Sequence, residues 1–284
     1  MRAYAELVRA PAALTVLGDT LAGAAASGAP LRGRRLLLPL SSVALYWSGM
    51  ALNDWADRAL DATERPERPI PSGRISPRAA LTTATALSAA GLGLAAWAGG
   101  RDSLAVAVPL AAAVWSYDTV LKDTAAGPLA MAACRGLDVL LGAGRERAAS
   151  ALPAAAVMAG HTLGVTVLSC GEVHGAAAGT AKAVLGGTAA TTAAVLARPG
   201  RTWRDRLGAV VGAAAYAATV GRAQLAAVRD PGATAVRSAT KTGIHGMVPL
   251  QCALAARGGS PRAAAALALV LPLARALSRK VGPT

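Results

Sequence analysis

Asn53-Asp54-Trp55-Ala56-Asp57-Arg58-Ala59-Leu60-Asp61 closes a long apolar stretch and opens a basic, proline-rich loop. Three carboxylates and a carboxamide at the end of a membrane-type segment are costly unless something uses them. At roughly 100° per residue, positions 53, 54, 57 and 61 fall within about a quarter of a helix circumference. Their oxygens then line one stripe. Such a stripe suits a hard cation, most simply Mg2+, which takes a few carboxylates, several waters and a phosphate.

The chain around this stripe is apolar. Of 284 residues, 54% are hydrophobic and 15% are charged, with a mean hydropathy of +0.43. A soluble domain carries about 25% charged residues. Apolar runs near membrane-spanning length cover about residues 5–29, 36–61, 78–98, 102–121, 128–142, 152–170, 181–196, 207–228, 243–256 and 262–277. The chain therefore reads as all-α, a multi-pass helical bundle forming one membrane domain over residues 1–284. The segments after Arg201 are shorter and more polar, so one of the ten candidates is open to an interfacial or half-length reading. Polar clusters at 53–61 and 170–175 echo one another weakly and suit two four-helix halves. The Ala-rich composition fits close helix packing and equally fits genomic base composition.

Formal charge is +14. The arginines sit in short connections between apolar segments, as membrane proteins place them. No basic domain with interleaved aromatics exists, which excludes nucleic acid as a partner. Anionic lipid and diphosphates are the expected partners. Charge bias does not orient the chain, because the loop 62–77 and the connections 32–35 and 198–206 are all basic. The N-terminus has no signal-peptide pattern, so the first apolar segment is expected to remain as a helix. A multi-pass protein of the cell (plasma) membrane is the expectation. Cys134, Cys170 and Cys252 lie far apart, with no CxxC or Cys/His cluster, which argues against zinc and a disulfide framework. Trp47, Trp55, Trp97, Trp115 and Trp203 suit interface anchoring. His161 and His245 suit buried core positions. Asp19, inside the first segment, must face a cavity or a partner.

The stripe and the loop together carry chemistry. Arg58, Arg65, Arg68 and Arg74 supply forked donors for phosphate oxygens. Carboxylates, Mg2+ and arginine together bind a diphosphate. Beside an apolar cavity they stabilise a diphosphate leaving group, while the cavity shields the allylic cation from water. Lys122 reads as a phosphate contact, as a snorkelling lysine, or as a partner of Asp118 or Asp123. Arg135 and Asp138, at i and i+3, read as a site element or as an intrahelical ion pair.

These residues carry a family resemblance. Asn53-Asp54-x-x-Asp57-x-x-x-Asp61 resembles the first aspartate motif, NDxxDxxxD, of the UbiA superfamily of intramembrane prenyltransferases. Arg65-Pro66-Glu67-Arg68-Pro69-Ile70-Pro71-Ser72-Gly73 resembles its RP-(L/I)-P-S-G loop. Tyr117 with Lys122 is similar to the family's fourth-helix Tyr/Lys element. Arg135-Gly136-Leu137-Asp138, followed by Gly142, resembles the fifth-helix R-x-x-N…G element, with Asp where Asn is usual. The resemblance implies about nine transmembrane helices in two four-helix halves and Mg2+-dependent prenyl transfer from a prenyl diphosphate to a small acceptor. It implies Mg2+ on Asn53, Asp57 and Asp61, with Asp54 beside them. Arg9, Arg65, Arg68 and Lys122 would hold the diphosphate, with Tyr117 and Arg135 near it. Asp54, Asp57 and Lys122 would be the catalytic residues.

One departure stands out. The family's second motif, DxxxD, follows the sixth helix; here Glu172 is followed at +4 by Ala176. Glu172 remains as a lone second-metal candidate, and His174 is a poor Mg2+ ligand. The pattern resembles a divergent EboC-like branch of the superfamily. With that pair broken, diphosphate binding is a firmer expectation than turnover. The competing readings are an intramembrane terpene cyclase, which needs no acceptor, and a non-catalytic prenyl-lipid binding or transport-associated protein. A CDP-alcohol phosphotransferase signature is absent from the sequence.

Overall fold

The computed structural model describes residues 2–197 and 200–269. Residues 270–277 of the last apolar segment, and Arg198 of the basic connection 198–206, lie outside the described residues. The regular structure is helical: α1 (Arg2–Leu7), α2 (Leu17–Ala26), α3 (Leu38–Ala56), α4 (Arg58–Glu64), α5 (Pro77–Ser116), α6 (Gly127–Ala143), α7 (Ala148–Ser169), α8 (Ala178–Leu196), α9 (Trp203–Arg229) and α10 (Ala233–Arg257), with residues 261–269 also helical. Three helical stretches, Gly33–Ala56, Pro77–Leu121 and Ala148–Ser169, are long and apolar enough to cross a membrane.

α5 is two arms folded back at Gly100, whose φ of 60° and ψ of −142° suit only glycine. Trp115 on the second arm donates to Ser88 Oγ on the first at 2.9 Å. A straight helix would put those residues roughly 40 Å apart. The expected segments 78–98 and 102–121 are therefore both present. With α5 counted as two arms, nine stretches of ten residues or more are present among the described residues.

The inward residues on the first arm of α5 are small. On the first arm of α5, Ala80, Ala84, Ser88, Gly91 and Ala95 are buried, whereas Trp97 is exposed, as are Val108 and Val120 further on. Lipid accepts such outward apolar side chains, and small inward ones let backbones approach. Short hydroxyls fasten the approach: Ser41 donates to Gly91 O at 2.7 Å and Ser48 to Ala84 O at 2.8 Å, tying α3 to α5. α2 and α6 meet still more closely. A Cβ on Gly23 would lie 1.8 Å from Val139 O, and one on Gly142 would lie 1.9 Å from Thr20 O. At this crossing the small residues have a packing role.

Three boundaries differ from expectation. The first apolar segment is not one helix: α1 ends at Leu7, Arg9 adopts a left-handed backbone (φ 47°, ψ 52°), and residues 10–15 form a 3-10 turn before α2. Pro11 has no N–H to bond Leu7 O, so α geometry cannot continue unbroken from α1 through it. The second segment pauses at Asp57 (φ −82°, ψ 1°), so Asp61 sits on α4. The segment expected from residue 243 begins ten residues earlier, at Ala233, because the polar residues Arg237 and Lys241 lie within the helix rather than before it.

Candidate functional site

The 53–61 stripe opens on two flanks. In helical projection residues 53 and 57 lie about 40° apart, and residues 61 and 54 lie further round. The first flank meets the end of α5, where Tyr117–Leu121 forms a π turn closed by Lys122 N–H to Tyr117 O at 2.9 Å. Such turns insert an extra residue into a helix and recur at functional sites. This one brings Lys122 Nζ onto Asp57 Oδ1 in a close ion pair. It also buries Asp118, whose Oδ1 accepts from Asn53 Nδ2 at 3.3 Å. Lys122 thus pairs across helices, and its sequence neighbours Asp118 and Asp123 are not its salt-bridge partners.

The second flank meets the N-terminal turn and the proline-rich loop. Arg68 Nη1 lies 2.7 Å from Asp61 Oδ2 and 3.3 Å from Asp54 Oδ1. Arg9 Nη2 reaches the same Asp54 oxygen at 3.1 Å, and Arg65 stands 4.0 Å from Asp61. The left-handed backbone at Arg9 is uncommon for a residue with a side chain, and the side chain it carries also touches Met50 Sδ at 3.6 Å. Three carboxylates (Asp54, Asp57, Asp61) are thereby paired with four cations (Arg9, Arg65, Arg68, Lys122), and Asp118 stands beside them on the Asn53 amide. Asp54 and Asp61 are buried, and Arg68 is 19% exposed.

The other two loop arginines turn away. Arg58 donates to Trp55 O at 2.8 Å and lies over the Trp55 ring, 4.8 Å from its centroid. Arg74 is bound to Glu6 of α1, to Ser72 Oγ and to Glu67 O. It clasps the N-terminal helix to the loop, and its guanidinium holds the Glu6 carboxyl below the usual glutamate range. Leu7, Ile70 and Ile75 are buried together beneath that clasp. Trp115, through Ser88, cross-links the two arms of α5.

Below the charged cluster lies a cavity of about 570 Å³, counting its open mouth. Leu110, Val114, Met131 and Met50 form apolar walls, Tyr117 and Asp118 stand at one end, and Ser42, Arg135 and Asp138 at the other. Arg135, expected near the diphosphate, is instead committed to Asp19 of α2: Nη1 to Oδ2 is 2.6 Å. Gln251 of α10 donates to the other Asp19 oxygen at 2.8 Å. Asp138 accepts from Ser42 Oγ at 2.6 Å. The intrahelical Arg135–Asp138 pair is therefore not the principal contact of either residue. Asp19, for which the sequence offers no role, is what fixes Arg135.

Glu172 sits half-buried in the turn after α7. Its carbonyl accepts from Arg237 at 3.1 Å, and the turn is closed by backbone bonds Gly175 N–H to Gly171 O and Ala176 N–H to Pro231 O. His174 is exposed. His161 is buried between Tyr216 OH and Gly243 O, a core position as expected. Among the described residues no three His, Cys, Asp or Glu side chains converge as a metal cage. The first cluster nonetheless fits Mg2+ by donor chemistry. It offers hard oxygens from Asn53, Asp57 and Asp61, and that ion needs only one or two protein carboxylates beside water and phosphate. Asp118 joins this set and was not singled out from sequence; its only signal is the i, i+4 spacing to Lys122.

The site is thus an apolar cavity in a helical bundle, capped by paired carboxylates and cations. The chain belongs to the UbiA prenyltransferase family, which it matches over residues 13–169. The digeranylgeranylglyceryl phosphate synthase of Methanopyrus kandleri is 39% identical over 125 residues, 44% of this chain and 45% of that protein. The matched stretch thus spans less than half of that relative. The fold is similar to that of a UbiA homologue from Archaeoglobus fulgidus bound to GPP and Mg2+ (TM-score 0.65, 14% identity, 91% of this chain and 99% of the other). It is also similar to a UbiA homologue from Aeropyrum pernix K1 in its apo form (TM-score 0.62, 18% identity, 91% and 97%).

Proposed function

We propose that this protein is a prenyltransferase that moves an isoprenyl group from a prenyl diphosphate to a small, partly hydrophobic acceptor within the plasma membrane. The observation that carries this reading is the set of ion pairs joining Asp54, Asp57 and Asp61 to Arg9, Arg65, Arg68 and Lys122 over an apolar cavity. A diphosphate fits because Arg9, Arg65, Arg68 and Lys122 can turn from the carboxylates to phosphate oxygens. Asn53, Asp57 and Asp61, with Asp118 at their side, would hold Mg2+. That ion supplies neutralising charge to the leaving oxygens.

In the reaction the C1–O bond of the prenyl diphosphate breaks and diphosphate leaves with the electron pair. A nucleophilic atom of the acceptor bonds to C1, and the acceptor loses a proton. Lys122 and Arg68 stabilise the growing negative charge, Asp54 keeps Arg9 and Arg68 aimed, and the apolar walls exclude water from the cation. Relatives named for digeranylgeranylglyceryl phosphate synthesis, and the GPP-bound homologue, support the prenyl diphosphate as donor. Arg135 stands outside this assignment, since Asp19 occupies it.

The test is a titration of purified full-length protein with geranylgeranyl diphosphate, with and without Mg2+. Mg2+-dependent binding and diphosphate release in the presence of membrane extract are expected. Binding with no release under any acceptor extract favours the non-catalytic reading. That reading has its own support, in the backbone-tied turn where the second metal motif would lie. Release with no acceptor, yielding a cyclic hydrocarbon, favours the cyclase.

A further inference from the structure

The cavity beneath the diphosphate cluster holds a polar group that neither the metal nor the diphosphate uses. Tyr46 of α3 lines it, beside Leu45, Gly49 and Met50 of the same helix. At roughly 100° per residue, positions 42, 46, 49, 50 and 53 share one helix face. Tyr46 therefore stands directly under Asn53. It packs against the cluster of Ala13, Val16 and Val43. Its phenol feels the charges of both Arg9, in the cluster above, and Arg135, at the far end, which sets it between the two.

The hydroxyl and charged side chains deeper in the cavity are committed. Ser42 donates to Asp138, and Arg135 is bound to Asp19. Among the described residues nothing bonds the Tyr46 hydroxyl. Its oxygen is not one of the fully enclosed polar atoms, so it keeps accessible surface, and on this face of α3 that surface is the cavity. Tyr117 carries another unbonded hydroxyl, but it adjoins Asp118 at the diphosphate end.

An open hydroxyl at this depth constrains what enters. A prenyl tail has neither donor nor acceptor, so a tail alone would leave the phenol unpaired and out of water, which is costly. A bare phenol oxygen is also a nucleophile beside the allylic cation, which the cavity has to protect. An oxygen-bearing molecule laid over the hydroxyl removes both problems. From Tyr46 to Asn53 the helix rises roughly 10 Å. Long helical side chains lean toward the helix N-terminus, which here carries the hydroxyl further from the cluster.

We propose that Tyr46 is a specificity-determining residue for the prenyl acceptor. Its hydroxyl hydrogen-bonds an oxygen at the far end of a small alcohol or phenol whose reacting atom faces the diphosphate cluster. This rests on the prenyl-transfer reading above and specifies the class of its acceptor.

The test uses 4-hydroxyphenethyl alcohol and 4-ethylphenol, which share a phenol and differ only in the far hydroxyl. Full-length protein is loaded with Mg2+ and a thio-analogue of geranyl diphosphate, and both probes are titrated calorimetrically. The quantity read is the ratio of the two affinities. Tyr46→Phe keeps the ring and loses the oxygen, and the ratio should fall about fivefold in favour of 4-ethylphenol, the effect of one neutral hydrogen bond. Tyr117→Phe should leave the ratio as in wild type. An unchanged ratio in Tyr46→Phe overturns the inference, as does an equal fall in Tyr117→Phe or a wild type that binds neither probe at millimolar concentration. Binding of the thio-analogue is the separate control. If wild type fails to bind it, the prenyl-transfer reading itself fails. Normal binding by Tyr46→Phe shows that the variant is folded and that the lost contact belongs to the acceptor. Loss of that binding would assign the hydroxyl to the donor or to the fold, and so overturns the inference too.

Discussion

The segment 53–61, where α3 passes into α4, and the turn 170–175, which follows α7, are held together in opposite ways. The first is held by side-chain charge: Arg9, Arg65, Arg68 and Lys122 reach it from the N-terminal turn, the proline-rich loop and the end of α5. The second is held mainly by backbone, through Gly175 N–H to Gly171 O, Glu172 N–H to Ser169 O and Ala176 N–H to Pro231 O of the α9–α10 connection, with Arg237 of α10 on the Glu172 carbonyl. A charged cluster can exchange its partners for a ligand, whereas backbone bonds buried in a turn cannot be lent out without loosening it. The charge-held segment is therefore the one that a ligand can enter.

Substitutions should reveal that contrast directly. The largest effect is expected for Asp57→Ala, which removes a proposed metal ligand and strands Lys122. Mg2+-dependent binding of geranylgeranyl diphosphate should fall more than 100-fold by calorimetry, and near-normal affinity would sink the site assignment. Arg68→Ala follows. It leaves Asp54 and Asp61 buried with fewer partners, so affinity should drop ten- to 100-fold and thermal stability should also fall. Removing one member of a buried pair costs about 3–5 kcal/mol at the limit, and less here because Arg68 is partly exposed. Glu172→Gln should change affinity and turnover less than threefold. A loss equal to that of Asp57→Asn would make the second turn a true metal site and erase the contrast.

Much of this was legible in the sequence, because adjacent residues carry it. The stripe, the loop arginines and Lys122 announce themselves by spacing. What spacing could not show were partners far along the chain. Asp19 and Arg135 are joined across the α2–α6 crossing, and Asp118 finds Asn53 through a π turn whose sequence carries no Gly or Pro marker. Arg58 and Arg74 look identical to Arg65 and Arg68 in sequence, yet they serve Trp55 and Glu6. The end of α1 is legible at Pro11, which has no N–H to bond the i−4 carbonyl of Leu7.

The smallest expected effect concerns the clasp. Glu6 titrates below its ordinary value because Arg74 binds its charged form. The contact is therefore present above the unfolded glutamate range and is lost as pH falls through the lower folded value. A spin label at Tyr4 should gain mobility on acidification from neutral pH, and Glu6→Gln should show that mobility already at pH 7. An immobile label at both would mean that Leu7 alone holds α1.

The π turn at Tyr117–Leu121 also sets how this end of the helix responds to a change of length. An ordinary α-helix accommodates one residue fewer over the same rise. Deleting Val120, an exposed residue, would therefore let the turn relax to α geometry and leave Lys122 on much the same side of the helix. Loss of a single residue is thus the change of length that this end of the helix can absorb.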